Sequence, residues 1–341
     1  MPAQVCTVLK WMPRWPPSKF MNFRWFAAAP IVLDAKDFDW ALQLGKGANN
    51  SAIKVVEKLG VTRAEIEVLA ESVLKTLNNS GPLDPQRLKT ELGDAVRNLG
   101  EEGKRKGAAT TLPTALGTLQ TQGRIRRVPS NGRLDQQRYS YLAWDLPLSN
   151  LSDDQARNAI MAKYLAWTGG ATLKQSQWFT AFTVAQSKAA LADVGAIEHD
   201  GVWQLPADRE SFEDFQPPTE EQIQLLAGTD GIALLKRNSA ELLAAEDAEK
   251  SILGEKSLAL QADLPDHPIF DRGTIIGLWQ YDPGQQELVA WTFRKPSRAV
   301  KERLAEVESY IRDELGDFRS FSLDSPASRQ KRIDALRDMR G

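Results

Sequence analysis

The chain has 341 residues, of which 42% are hydrophobic and 26% are charged, and its formal net charge at pH 7 is −2. This balance is typical of a globular protein of about two domains, and the absence of any run of about 18 apolar residues excludes a membrane-spanning helix. Cys6 is the single cysteine and His199 and His267 are the two histidines, which excludes an intramolecular disulfide and a zinc site of the His/Cys type. We therefore expect a cytoplasmic protein with no metal, no other cofactor and no membrane partner.

The first group of predicted elements is three helices followed by a basic hairpin. In VTRAEIEVLAESVLKTL, Thr62 and Glu65 have the spacing of a capping box at the start of an amphipathic helix. A second helix is predicted to begin after Asp84, and a third over Leu112–Gln122. The chain then continues as two short basic strands that turn at Ser130–Gly132. This order of elements is that of a winged helix-turn-helix unit.

A second group of elements repeats this order over fewer residues. Ser152 is the predicted cap of the helix in SDDQARNAIMAKYLAWTG, and GATLKQSQWFTAF corresponds to the second helix of the first group. The segment TVAQSKAALADVGAIEHDGVWQL corresponds to the third helix and to a hairpin that turns at Asp200–Gly201. We therefore predict that residues 62–144 and 153–205 each fold as three helices plus a hairpin and superpose on one another.

The pattern changes to strands after Pro217 and Pro218. LPDHPIFDRGTIIGLWQYDPGQQELVAWTF predicts strands around a turn at Asp282–Gly284, and SRAVKERLAEVESYIRDEL and SPASRQKRIDALRDM predict two helices. The predicted fold class is mainly α with β (α+β), with tandem winged helix-turn-helix units and a C-terminal α+β unit that contains a β-hairpin. The predicted domains are an N-terminal segment that is the remnant of a first winged-helix unit (1–50), a winged helix with a basic wing (51–148), a second winged helix (149–216) and the C-terminal α+β unit (217–341).

Positive charge is concentrated in the first winged-helix unit. Residues 85–140 contain eleven lysines and arginines and five acidic residues, a net charge of +6, which leaves −8 for the rest of the chain. Such an asymmetry is what binding to phosphates requires, and it falls on elements that winged helices use for DNA. The alternative is a solvated loop in EEGKRKG beside a hairpin edge that is kept charged against aggregation. We favour double-stranded DNA as the partner; the sequence indicates no oligomeric state.

The residues that we predict to contact DNA are exposed cations or amides on these elements. In the second unit the acidic residues outnumber the basic ones, so that its DNA contact is predicted to be weaker, and packing against a neighbouring domain is an equal alternative there. The predicted DNA-binding residues are Lys104, Arg105, Lys106, Arg124, Arg126, Arg127, Arg133, Arg138, Lys174, Gln177 and Lys188.

Several segments resemble a known family. YLAWTGGATLKQSQWFTAF followed by AALADVGAIEHDGVWQL resembles the winged-helix DNA-binding family related to the YcaQ/AlkZ-type crosslink-repair DNA glycosylases. FRWFAAAPIVLDAKDFDW is similar to the family segment that follows the catalytic motif, and DRGTIIGLWQYDPGQQELVAWTF is similar to its C-terminal β segment. The resemblance covers roughly residues 22–295 and implies a DNA-binding protein of DNA repair.

The catalytic motif of those glycosylases, Gln-apolar-Gln or Gln-apolar-Asp, precedes the segment that begins at Phe23. Only 22 residues stand before Phe23, and Gln4 is the sole glutamine among them; Ile31 stands where the glycosylases commonly have a histidine. Three similar triplets occur in other parts of the chain, where we assign them no catalytic role: Gln120–Gln122, Gln222–Gln224 and Gln261–Asp263. We expect that the chain lacks the motif and excises no base, and we assign no catalytic residue.

Ten tryptophans raise the question of stacking on a base. Six of them fall at apolar positions of predicted helices and strands, and we expect these in the hydrophobic core: Trp40, Trp167, Trp178, Trp203, Trp279 and Trp291. Trp11 and Trp15 fit neither the helical nor the strand spacing of apolar residues, so they are either aromatic wedges for DNA or part of a poorly ordered tail.

Three functions are open at this point. The favoured one is a duplex DNA-binding protein of this repair-related family without catalysis. The second is a DNA glycosylase that removes alkylated or crosslinked bases. The third is a winged-helix scaffold for protein interactions, which a salt titration separates from the first because DNA binding weakens steeply with salt.

Overall fold

The computed structural model describes residues 20–24, 30–129, 139–146, 150–318 and 325–339. These residues form a mixture of α-helices and β-strands that fall into two compact units. Unit 1 consists of the described residues of Met1–Ala162 and Phe179–Val194, and unit 2 of those of Lys163–Trp178 and Gly195–Gly341. The four domain ranges given above stay predictions.

The helices and strands follow one another along the chain in a simple order. Before residue 150 they are β1 (Phe20–Arg24), β2 (Pro30–Asp34), α1 (Phe38–Gly45), α2 (Asn50–Glu57), α3 (Arg63–Ser80), α4 (Pro85–Leu92), α5 (Gly100–Arg105), α6 (Leu112–Thr121), β3 (Ile125–Pro129) and β4 (Tyr139–Ala143). After it they are α7 (Asp153–Thr168), β5 (Ala171–Thr172), α8 (Leu173–Thr180), α9 (Val184–Asp193), β6 (Ile197–His199), β7 (Val202–Gln204), α10 (Pro206–Glu213), β8 (Ile223–Leu225), α11 (Gly231–Leu234), α12 (Ser239–Leu242), β9 (His267–Asp271), β10 (Thr274–Asp282), β11 (Glu287–Thr292), α13 (Arg298–Tyr310) and α14 (Pro326–Asp338).

Local hydrogen bonds fix the starts of the helices where the sequence predicts them. The backbone N–H of Glu65 donates to the hydroxyl of Thr62 at 3.2 Å, and the carboxylate of Glu65 accepts from the Thr62 N–H at 2.7 Å, which completes the capping box of α3. The Asp84 carboxylate accepts from two backbone N–H groups at 2.9 Å at the start of α4. Ser152 caps α7 by accepting from the Gln155 N–H at 3.2 Å. These three helix starts are confirmed.

The core of unit 1 lies between α3, α6 and the β3–β4 hairpin. Ile66, Leu77, Leu119 and Ile125 are fully buried there, each worth roughly 1.5–3 kcal/mol relative to an exposed side chain. Tyr141 of β4 is buried in the same core and exchanges two backbone hydrogen bonds with Leu83, of 3.1 and 2.7 Å. The chain just before α4 therefore pairs with β4 at Leu83, and this pairing holds the hairpin against the helices.

A short helix, α5, occupies most of EEGKRKG, the segment for which the alternative to DNA binding was a solvated loop. Its Gly103 packs so closely that an added Cβ would lie 2.5 Å from the carbonyl oxygen of Ala108. Ion pairs of 2.6 Å between Glu101 and Lys104 and between Glu102 and Lys106 support the turn. The segment is therefore helical rather than a loop, although its charged side chains are exposed as the alternative to DNA binding assumes.

The second group of elements has a comparable order. A strand precedes α8, a helix (α9) follows, and a hairpin closes the group, with β5, β7 and β6 forming one antiparallel sheet in that order. Asp200 and Gly201 adopt positive φ values of 50° and 80° at the hairpin turn, where the sequence predicts it. The structure therefore has a strand over Ile125–Pro129 and a helix over Val184–Asp193, as the repeat requires.

Unit 2 contains a four-stranded antiparallel sheet with the order β11-β10-β9-β8. Its two faces carry separate cores, one packed against α14 and the other against α13. His267 of β9 is fully buried; its ring lies 4.5 Å from that of Trp279, and its Nδ1 accepts from the Gly228 N–H at 2.9 Å. This histidine is therefore a core residue.

The tryptophan predictions were correct for some positions and wrong for others. Trp40 and Trp279 are buried, whereas Trp203 and Trp291 are half-buried. Exposed fractions of 48% for Trp167 and 36% for Trp178 contradict their core assignment. Both lie on amphipathic helices, α7 and α8, where the apolar spacing that we used does not tell an exposed edge from the buried face.

Two further observations concern what the described residues lack. None of their helices is both long and apolar enough to cross a membrane. Within the same ranges, histidine, cysteine and carboxylate side chains form no cluster of three or more that could hold a metal ion.

Candidate nucleic-acid interface

Unit 1 contains a cleft of about 1570 Å³ between its helices and its hairpin. One wall is the turn before α2 together with the first residues of that helix, and another is α4 with the loop that follows α5. The floor is α6, and the β3–β4 hairpin closes the remaining side through Arg127, Tyr139 and Tyr141. The cleft thus lies where a helix passes into a basic hairpin.

The charges in this cleft are all of one sign. Lys89, Lys106 and Arg127 line it, and none of the described residues that line it is an aspartate or a glutamate. Lys106 pairs with Glu102 at 2.6 Å, but both side chains are exposed, and such pairs contribute little. Lys89 is exposed and takes part in no ion pair within the described ranges. A concave surface with this composition concentrates anions.

Two tyrosines of the hairpin hold Arg127 in place. The guanidinium carbon of Arg127 lies 4.3 Å from the ring centroid of Tyr139 and 5.7 Å from that of Tyr141. The two rings meet edge to face at 5.6 Å because they are two residues apart on β4 and share one side of the hairpin. Burial raises the pKa of Tyr141 to about 12, so this phenol stays neutral next to the charged arginine.

Arg126 lies on the other side of the same hairpin. Its guanidinium carbon is 5.6 Å from the ring centroid of Trp144, which in turn packs edge to face on Phe38 at 5.1 Å. The side chain is half-buried, and burial lowers the pKa of this guanidinium from its ordinary value. Since Arg126 and Arg127 are consecutive in a strand, only Arg127 reaches the cleft.

Comparison with known proteins identifies the family of this chain. A model of the AlkZ-like DNA glycosylases matches residues 22–321. The chain belongs to the AlkZ-like DNA glycosylase family. One similar solved structure, the Streptomyces sahachiroi DNA glycosylase AlkZ, has a TM-score of 0.57 and 18% identity over 86% of this chain and 78% of that chain. At this identity the likeness shows a shared fold. No curated protein sequence matches the chain significantly.

In this family member the other cations predicted for the first unit have different surroundings. Arg124 forms a bidentate ion pair with Glu71, with Nη2 and Oε2 3.2 Å apart, which lowers the pKa of Glu71. Lys104 pairs with Glu101 at 2.6 Å and Arg105 is exposed, and neither lines the cleft. Arg124 and Lys104 stay accessible, but their charges are partly neutralised by exposed carboxylates.

The remaining predicted residues either lie outside the described residues or do not line the cleft. Arg133 and Arg138 lie outside the described residues. Lys188 is exposed on α9 in unit 1, whereas Lys174 is exposed and Gln177 half-buried on α8 in unit 2. Of the eleven predicted DNA-binding residues, the structure thus brings Lys106 and Arg127 together in the cleft.

Three further cleft residues were not among those predicted from the sequence to contact DNA. Lys89 was counted only as part of the basic segment, although its position on α4 was predictable from the cap at Asp84. Asn49 donates from Nδ2 to the carbonyl oxygen of Thr114 and to a neighbouring hydroxyl, both at 2.9 Å, and so joins the turn before α2 to α6. Gln120 lines the cleft near the end of α6, at the position where the sequence predicted a helix end. No local signal reveals the last two contacts.

Proposed function

We propose that this protein binds double-stranded DNA in the cleft of unit 1 and acts in DNA repair. The observation that carries the proposal is a lining of three cations, Lys89, Lys106 and Arg127, without a carboxylate. Because the chain belongs to the AlkZ-like DNA glycosylase family, we propose DNA as the anion that binds there. The repeated order of helices and hairpins supports two winged-helix units, of which the first carries the DNA-binding cleft and the second supplies weaker contacts through Lys174, Gln177 and Lys188.

Binding is proposed to act mainly on the phosphate backbone. Lys89 and Lys106 are flexible point charges, whereas Arg127 is held against Tyr139 and presents a fixed fork of N–H donors. Each phosphate that these groups neutralise releases counterions, so the affinity falls with salt and depends little on base sequence. The side of α6 that faces the cleft also bears polar groups such as Thr121 and Gln120.

A salt titration tests this function. Three phosphate contacts predict a slope of about −2.7 in log affinity against log salt, or roughly a 40-fold loss between 50 and 200 mM, for a fluorescent duplex. The variant Lys89→Ala/Lys106→Ala/Arg127→Ala is expected to lose most of this slope. Lys75→Ala is the matched control, because Lys75 is exposed on α3 away from the cleft. Salt-independent binding, or no binding of DNA, would favour a protein-interaction scaffold instead.

Base excision in the same cleft is a second candidate function. The observation in its favour is Gln120, whose half-buried side chain lines the cleft in a chain of a glycosylase family. Cleavage of the glycosidic bond of an alkylated purine needs a polar group that positions or activates water, and a carboxamide can position water.

Release of an alkylated base from a duplex, measured against the spontaneous rate, decides between binding and excision. Gln120→Ala is expected to abolish release if the cleft is catalytic, and Gln122→Ala is the control because Gln122 is exposed and does not line the cleft. Release at the spontaneous rate by the unaltered chain would leave DNA binding as its function.

A further inference from the structure

Unit 2 exposes an acidic segment, Pro206–Gln222, which contains six acidic residues and one arginine and therefore has a net charge of −5. Every residue from Glu210 to Gln222 is exposed. Glu213 pairs with Arg209 at 2.6 Å, whereas Glu210 and Asp214 form no ion pair within the described residues. The segment thus carries carboxylates that no cation among the described residues neutralises.

Two aromatic rings lie within this acidic segment. Phe212 and Phe215 have exposed fractions of 67% and 60%, and the Phe215 N–H donates to the Phe212 carbonyl oxygen at 3.2 Å, so that the two residues are one turn apart at the end of α10. A single exposed apolar residue is ordinary, but two neighbouring phenylalanines on one exposed turn are typical of a contact surface.

The segment is held at both ends. Pro206 begins α10, and the Thr219 carbonyl oxygen accepts from Arg272 at 3.2 Å. The Gln222 N–H donates to the Asp271 carboxylate at 2.8 Å, next to the pairing of β8 with β9. Because both ends are fixed, binding through the two phenylalanines costs less ordering entropy than it would for a free tail.

We propose that the acidic segment of one molecule docks into the cleft of a second copy of this chain and competes there with DNA. The charges are complementary, since the carboxylates of the segment meet Lys89, Lys106 and Arg127 in a lining without acids. The same lining includes the half-buried apolar side chain of Val55, which the phenylalanines would contact. The inference rests on the proposed function in one respect, that the cleft accepts a chain of negative charges.

This docking makes self-association and DNA binding mutually exclusive. A molecule whose cleft is occupied by the segment of another has to release it before DNA enters, so that the apparent affinity for DNA falls by the fraction of free clefts. With half of the clefts occupied, the loss is about twofold. High salt weakens both interactions because both depend on the same three cations.

Charge exchange between two variants tests the proposal directly. Light scattering after gel filtration of the full-length chain is expected to show self-association at low salt, and this is expected to be lost in Lys89→Glu/Lys106→Glu and in Glu210→Lys/Asp214→Lys. An equimolar mixture of these two variants is expected to associate again, because each supplies the charge that its partner now lacks. A monomeric wild type at about 100 μM protein, or a mixture that stays monomeric, would overturn the proposal.

The phenylalanines give an independent readout. Phe212→Ala/Phe215→Ala is expected to be monomeric and to bind duplex DNA more tightly than the wild type at protein concentrations where the wild type associates. Ile232→Ala/Leu260→Ala is the matched control, since it removes two equally exposed apolar side chains from the same unit. If DNA binds in the cleft but the phenylalanine variant still associates like the wild type, only the docking proposal fails. If DNA does not bind, the proposed function fails, but light scattering without DNA still tests the docking proposal.

Discussion

The guanidinium carbon of Arg127 lies 4.3 Å from the ring centroid of Tyr139, on the side of the hairpin that faces the cleft. The aromatic face attracts the cation and restricts its rotamers before any ligand arrives, so less entropy is lost when its N–H groups bind a phosphate. We therefore expect Tyr139 to affect the proposed DNA binding through Arg127.

Removal of the Tyr139 ring is expected to weaken DNA binding without changing its dependence on salt. A cation–π contact at a partly exposed site is worth about 0.5–1 kcal/mol, so Tyr139→Leu is expected to lower the affinity about two- to fivefold. Tyr139→Phe keeps the ring and is expected to bind like the wild type. Fluorescence anisotropy at several salt concentrations measures both quantities. A change of salt slope in Tyr139→Leu would mean that the ring does not act through Arg127 alone.

The two adjacent arginines of β3 are expected to respond differently to mutation. Arg127→Gln removes a cleft cation and is expected to reduce the salt slope of DNA binding by about one unit. Arg126→Gln changes a half-buried side chain that stacks on Trp144, and is expected to lower the melting temperature while the salt slope stays that of the wild type. Equal slopes in the two variants would restore the simpler hypothesis, from the sequence, that both contact phosphates.

Sequence reasoning was accurate where structure is local and failed where it depends on distant contacts. The capping box at Thr62 and the turn at Asp200 depend on neighbouring residues, and both are observed. The approach of Asn49 to α6 joins residues 65 positions apart, which the spacing of apolar positions does not connect. Because side chains alternate along a strand, the sequence could have placed Arg126 and Arg127 on opposite sides of β3. Which of the two faces the cleft is seen only from the structure, where Arg126 packs on Trp144.

Protonation of His267 is expected to destabilise unit 2 at acid pH. Burial, and then the charge of Arg329, lowers the pKa of His267 to about 3, whereas an unfolded histidine titrates near 6.5. Between these values the unfolded chain binds one proton more than the folded chain. This contribution to stability is therefore complete above about pH 6.5 and is lost as the pH falls towards 3, with a slope of up to about 1.4 kcal/mol per pH unit.

Chemical denaturation between pH 5 and pH 7, followed by tryptophan fluorescence, measures this slope. His267→Gln is expected to be less stable at neutral pH but to show a flatter pH dependence. His199→Gln is the natural control, because His199 is the other histidine of the chain and its side chain is exposed. A wild-type slope that persists unchanged in His267→Gln would assign the pH dependence to other groups.

The shape of the cleft is expected to depend on the contact between Asn49 and Gly117. Both donors of the Asn49 amide are used at 2.9 Å on α6, and a Cβ added to Gly117 would lie 2.3 Å from the Asn49 Oδ1. An exchange of glycine for alanine inside a helix ordinarily stabilises it by about 1 kcal/mol. Here the overlap with Asn49 turns this gain in stability into a loss. Gly117→Ala is expected to destabilise the chain by about 1–3 kcal/mol and to weaken DNA binding.

A double variant separates this overlap from a general intolerance of α6. Asn49→Ala removes the two hydrogen bonds and is expected to cost about 1–3 kcal/mol by itself. It also removes the atoms that a Cβ at position 117 would meet, so that Gly117→Ala in the Asn49→Ala background is expected to regain the ordinary gain of about 1 kcal/mol. The two substitutions are therefore expected to be non-additive, with Asn49→Ala/Gly117→Ala more stable than the sum of the single variants indicates. Thermal unfolding of the wild type, the two single variants and the double variant measures this non-additivity. Additive losses of stability would show that another neighbour of Gly117 limits the space on this side of α6.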